Sequence, residues 1–130
     1  MRYDEFLARV RERGEYADRE EAAKVTDAVL EVLAGRIPAS EAEDLAAQLP
    51  APLDDRVTSA AAEQPETYGV EEFYRRVGKR TGAHERTAQW DASAVLTTLA
   101  QTVSPGQLNQ LISRLPTGYA ALFGRADLTD

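Results

Sequence analysis

Cysteine is absent from this 130-residue chain, and histidine, tryptophan and methionine each occur once. Without thiols there is no disulfide, no thiolate nucleophile and no cysteine-based zinc or redox site. A reducing compartment fits that inventory. The chain also lacks any run of about 18 apolar residues that could span a membrane, and its N-terminal MRYDEFLARV is charged where a secretory signal would place an apolar core. We therefore expect a cytoplasmic protein without membrane insertion.

Positive charge is in short supply: 15 Lys and Arg stand against 22 Asp and Glu, for a net charge of −7. That balance disfavours a nucleic-acid backbone or an anionic membrane as the principal partner. Lysine is scarcer still, with only Lys24 and Lys79 among the bases. A GC-rich genome and a halophilic host explain this acidic, Lys-poor composition equally well. The charge is uneven, with 16 acids and 8 bases in residues 1–66 but 6 acids and 7 bases in residues 67–130.

What the chain does have is an internal repeat. DEFLARVRER (4–13) aligns with EEFYRRVGKR (71–80) at an offset of 67, with Glu5/Glu72, Phe6/Phe73, Arg9/Arg76, Val10/Val77 and Arg13/Arg80 identical. At an offset of 66, AVLEVLA (28–34) overlies AVLTTLA (94–100), followed by Leu45/Leu111, Leu49/Leu115 and Pro50/Pro116. Most matched positions are apolar, which points to shared packing. The repeats run about 3–62 and 70–124, joined by a linker at about 63–69. Neither, at about 65 residues, would bury much core alone, so one domain over 1–130 is expected.

Both repeats read as helical. Phe6, Leu7 and Val10 give one apolar face, and Ala22, Val25, Val29, Val32 and Leu33 give another, at the helical rather than the strand period. Asp18 with Glu21, and Ser40 with Glu43, have capping-box spacing for second and third helices. Ser104, followed by Pro105, caps the corresponding third helix in the second repeat. Because the two third-helix caps lie two residues apart in the alignment, their starts are expected to differ. The Leu-Pro pairs at Leu49-Pro50 and Leu115-Pro116 read as stop signals, since proline disfavours helical geometry in the residue before it. Short apolar-spaced segments, Leu53 to Ala62 and Tyr119 to Phe123, read as fourth helices. The predicted fold is all-α, a single helical bundle of six to eight helices built from two pseudo-symmetric repeats.

The paired pattern DEFLARV…AVLEVL…EAEDLAAQLP followed by EEFYRRV…AVLTTLA…LISRLP resembles the family catalogued as domain of unknown function 2267. The resemblance spans nearly the whole chain. It implies an all-α fold of two related halves, with no established activity and no catalytic residues to carry over. Gly14 and Gly82 sit where members of that family turn between first and second helices.

Few constellations promise chemistry. His84, the lone histidine, is placed at the start of the second repeat's second helix, where a surface role is the simpler reading than a metal or haem ligand. The acidic clusters DREE and EAED suit capping and solvation, and none alternates through a glycine turn as a calcium loop does. GKRTG lacks the upstream glycine and the Ser or Thr after lysine of a phosphate loop, and RLPTG lacks a residue of a wall-sorting signal. No cofactor is expected. The remaining candidates are Trp90, which stands where the first repeat has Lys24, and the basic RRVGKR, whose first-repeat equivalent ARVRER is mixed in charge, contributing Arg75, Arg76, Lys79 and Arg80. Tyr68, Tyr74 and Tyr119 are expected to pack their rings while the hydroxyls stay wet.

From this pattern we expect a non-enzymatic protein-protein interaction or scaffold module, with a protein partner or a second copy of itself. A small ligand held in a groove between the halves is the alternative, and an undetected enzyme a more distant one.

Overall fold

The computed structural model describes residues 1–124, which form helices and short connections with no strand among them. In order these are α1 (Tyr3–Gly14), α2 (Arg19–Ala34), α3 (Ala39–Ala46), α4 (Leu53–Ala60), α5 (Val70–Thr81), α6 (Glu85–Thr102), α7 (Pro105–Ser113) and a 3-10 helix (Thr117–Phe123). The all-α prediction holds, at eight helices.

The local signals explain most boundaries. The Asp18 side chain accepts the amide of Glu21 at 2.9 Å, and the Glu21 carboxylate accepts the amide of Ala17 at 3.0 Å, closing the start of α2. Ser104 accepts the amide of Gln107 at 3.1 Å, with Pro105 in the first turn of α7. Ser40 does not cap. α3 starts two residues earlier than a Ser40 cap would place it, at Ala39 behind Pro38, so Ser40 lies inside the first turn. The third helices therefore begin at aligned positions, Ala39 and Pro105, and the expected two-residue difference is absent.

The Leu-Pro pairs stop the chain slightly beyond the helices they follow. α3 and α7 end at Ala46 and Ser113, and three-residue turns then carry the chain on through Leu49 N–H to Ala46 O and Leu115 N–H to Ile112 O. This tightening buries both leucines before the proline forbids another turn. The turn between α1 and α2 also differs from expectation. Its left-handed residue is Glu15, at φ 55°, aligned with Gly82 at φ 78°, and not Gly14.

Packing is reciprocal. α1 lies against α2 and α6, while α5 lies against α6 and α2; α2 also meets α6, and α3 meets α7. Each first helix thus buries its apolar face on second helices from both ends of the chain. Phe6, Val10, Leu30, Leu33 and Leu45 are fully buried, as are the aligned Phe73, Val77, Leu96, Leu99 and Leu111. Each such side chain contributes about 1.5–3 kcal/mol on burial, so this one continuous core dominates stability.

The α3–α7 seam is polar. The Glu41 carboxylate, 1% exposed, accepts from Gln107 Nε2 at 2.6 Å and Gln110 Nε2 at 2.9 Å. Gln48 accepts the Ser104 amide at 2.7 Å. The 61–69 linker is pinned by Arg36, whose Nε donates to Tyr68 O at 3.0 Å. Tyr119 also donates its hydroxyl to Tyr68 O and Gly69 O at 3.2 and 3.3 Å. Tyr119 is fully buried, so its hydroxyl is dry, contrary to the wet hydroxyl expected from sequence; burial pushes its pKa up to about 12. Its ring meets Phe73 edge-on at 5.4 Å.

Candidate functional site

The end of α1 meets α6 through a set of side chains of which only Arg13 has an identical counterpart, Arg80, in the second half. The Trp90 indole N–H donates to Gly14 O at 2.9 Å, Arg13 Nη1 donates to Thr98 Oγ1 at 2.8 Å, and the Tyr16 hydroxyl donates to Asp91 Oδ1 at 2.5 Å. Gly14 is required for a reason other than a turn. A Cβ there would lie 2.1 Å from Cε2 of Tyr16, so the tyrosine ring occupies the space of a side chain.

Asp91 is a carboxylate in a core position, 3% exposed, where the first half has Val25. Burial raises its pKa above the ordinary aspartate value, opposed by the Tyr16 hydrogen bond and reinforced by the charge of Glu21. Tyr16 is shifted far upward, first by burial and then by its bond to Asp91. Beside this partly buried pair, Trp90 keeps 50% of its surface exposed. Its polar edge is anchored while much of the ring faces water.

The basic residues lie elsewhere, on α5, and among the described residues no hydrogen bond or ion pair joins them to Trp90. Arg75 pairs with Glu72, and Arg76 pairs with Glu66 at 2.8 Å and Glu72 at 3.0 Å. The Arg76 guanidinium also lies 4.4 Å from the centroid of the Tyr68 ring. Arg76 in turn holds both glutamates below the usual carboxylate range. Arg80 crosses to Glu31 at 2.7 Å. Among the described residues only Lys79 of this set has no ion-pair partner.

Arg76, Lys79 and Arg80 edge a cleft of about 440 Å³ between α2, the end of α4, the linker and α5. The cleft is floored by small residues, Gly35, Ala60 and Ala62. Neither α2 nor α4 has a basic residue in its last turn, so Arg80 and Lys79 bring positive charge from α5 to those negative helix ends. Much of RRVGKR is thereby explained as internal counter-charge.

A related cleft of about 360 Å³ runs along α1 beside Glu5, Arg9, Glu12 and Arg13. In sequence these align with Glu72, Arg76, Lys79 and Arg80, but this cleft is lined by α1 alone, without the walls that α2, α4 and the linker give the first.

His84 is exposed at the N-cap of α6 and makes no side-chain cap. Among the described residues, no group of three or more His, Asp or Glu is placed to hold a metal ion. No described helix is long and apolar enough to cross a membrane. Sequence reading missed Tyr16, Asp91 and Gly14 as a unit. The available signal was an aspartate on the apolar face of α6, aligned with a buried valine.

Fold and surfaces together define an all-helical bundle with reciprocal packing, a polar junction between α1 and α6 and an exposed tryptophan beside it. The chain belongs to the family described as an uncharacterized conserved protein, DUF2267, whose family model matches residues 3–122. No curated protein matches the chain.

Proposed function

We propose that this protein is a non-enzymatic interaction module whose two related halves present a docking face centred on Trp90. The observation that carries this reading is the tryptophan itself. A side chain that would stabilise a core by burial stays half exposed, and its N–H is already satisfied, so a partner covering the ring leaves no polar group unpaired. Aromatic anchors of this kind dominate binding energy at protein interfaces.

Trp90→Ala, compared with the native chain, tests the idea by affinity capture and light-scattering mass. A specific partner or a dimer that is held by the native protein and lost by the variant supports it. Equal capture by both chains, or a bare monomer with nothing retained in either, overturns it.

A second reading rests on the 440 Å³ cleft, which lies between helices of the two halves and has both charges on its walls. Those charges fit a small zwitterionic ligand. Mass spectrometry of molecules co-purifying with the native chain, and their loss in Lys79→Ala, is its test.

A further inference from the structure

We propose that Trp90, Gly14, Tyr16 and Asp91 form a proton-operated clasp that holds or releases the presented face of Trp90. As a regulator of docking the clasp rests on the reading above; as a device in the free protein it does not.

The four residues make a closed circuit. Trp90 and Asp91 are neighbours on α6. The Trp90 indole is held by the Gly14 carbonyl at 2.9 Å, and the Tyr16 ring fills the side-chain space of Gly14, where a Cβ would come within 2.1 Å. The Tyr16 hydroxyl then returns to Asp91 at 2.5 Å. A change at Asp91 therefore reaches Trp90 through Tyr16 and Gly14, by direct contact.

Asp91 is the member that changes state. Its carboxyl has one hydrogen-bond donor among the described residues, Tyr16. From α2 it faces the negative charge of Glu21. From α1, Arg13 is committed to Thr98, two turns further along α6, and Arg11 to the backbone carbonyls of Tyr16 and Ala17. On α6 itself, Ala88, Ala92 and Val95 are fully buried apolar neighbours. Protonated Asp91 suits this site. Ionised Asp91 places a charge in an apolar setting with one donor and a like charge nearby, which favours a wetter, opened junction.

Trp90 is the only tryptophan, so emission excited selectively at tryptophan, away from the tyrosines, reports on the surroundings of Trp90. Without any partner, its emission is expected to shift to the red, and acrylamide quenching to rise, as pH increases through a midpoint above the ordinary aspartate value of about 3.9. Asp91→Asn is expected to abolish this titration while circular dichroism shows the helices intact. Tyr16→Phe, which removes the donor, moves the midpoint up, and Glu21→Gln, which removes the like charge, moves it down. His84→Gln leaves it in place.

A response that is flat between about pH 4 and about pH 8, or unchanged in Asp91→Asn, overturns the clasp. Should Tyr16→Phe fail to fold, the surface substitution Glu21→Gln still provides a directional test. Failure of the docking reading is separately visible: capture insensitive to Trp90→Ala with the titration intact leaves the clasp standing without its partner.

Discussion

At the end of α1, Arg13 reaches across to a threonine hydroxyl of α6, with Tyr16, Asp91 and Trp90 completing a partly buried polar junction. At the end of α5 the aligned Arg80 reaches across to Glu31 of α2 as a half-exposed ion pair, and Ala83, Val25 and Lys24 stand where the other three residues were. The shared arginines fasten each first helix to the other half's second helix. The unshared residues finish one junction as a buried hydrogen-bonded device and leave the other as a solvated pair. The aligned apolar positions thus lie in one core, and the polar junction is built largely from residues that differ between the two halves.

The largest effects should fall on positions where the halves agree. Leu33→Ala and Leu99→Ala, aligned and both fully buried, are each expected to cost about 2–5 kcal/mol in urea unfolding. Because α2 and α6 share one core, both variants should unfold in a single transition, seen alike by circular dichroism and by Trp90 fluorescence. Two separated transitions in Leu99→Ala would break the comparison by showing that the halves unfold independently.

Next come the helix ends. Gly14→Ala forces the Tyr16 ring aside and is expected to cost about 1–3 kcal/mol as an overpacking change. The aligned Thr81→Ala touches no such ring. Its hydroxyl bonds only within its own helix, to Val77 O, so its cost should stay within about 0.5 kcal/mol. Equal losses at the two sites would show that Gly14 is an ordinary helix-end residue after all.

That difference also shows what a sequence can reveal. The helical period exposed the shared core, and Asp18 and Ser104 announced their helices, because these signals act within a few residues. Ser40 had the same short motif and failed, since Pro38 already set the chain's entry into α3. Gly14 drew notice as a turn glycine, yet the left-handed residue is Glu15 next to it. Its real constraint is the ring of Tyr16, a tertiary contact. Tyr16 and Asp91 are 75 residues apart, and nothing local links them. The pairing of Arg75, Arg76 and Arg80 with Glu72, Glu66 and Glu31 was likewise hidden, so a basic run looked more available than it is.

The two junctions should also respond oppositely to pH. The folded-state pKa of Asp91 is raised above its unfolded value, so the folded chain holds this proton more tightly. Its contribution to stability is fully present below the unfolded pKa and is lost as pH rises through the folded one. Glu66 and Glu72, near the α5 junction, are depressed by Arg76; theirs is present above the unfolded pKa and lost as pH falls through the folded one. Denaturant unfolding across pH, for the native chain against Asp91→Asn and Glu66→Gln, resolves the two. Asp91→Asn should gain on the native chain as pH rises, and Glu66→Gln should lose. The reverse order would mean that the buried junction is not where the proton is held.

The smallest effect lies at the second helices' starts, where Asp18 and His84 are aligned N-caps. Both have extended backbones, at ψ 177° and 161°, so the geometry for capping exists at each. Only Asp18 uses it, by accepting the Glu21 amide. Asp18→Ala should therefore cost about 1 kcal/mol, whereas His84→Ala should be close to neutral. Conversely, His84→Asp supplies both an acceptor for a free first-turn amide and a negative charge at the positive end of α6, and is expected to gain about 0.5–1 kcal/mol. Urea midpoints at constant slope provide the reading. A gain at position 84 would show that the second half forgoes an available cap; no gain would mean that water already satisfies the first-turn amides as well as a side-chain acceptor would.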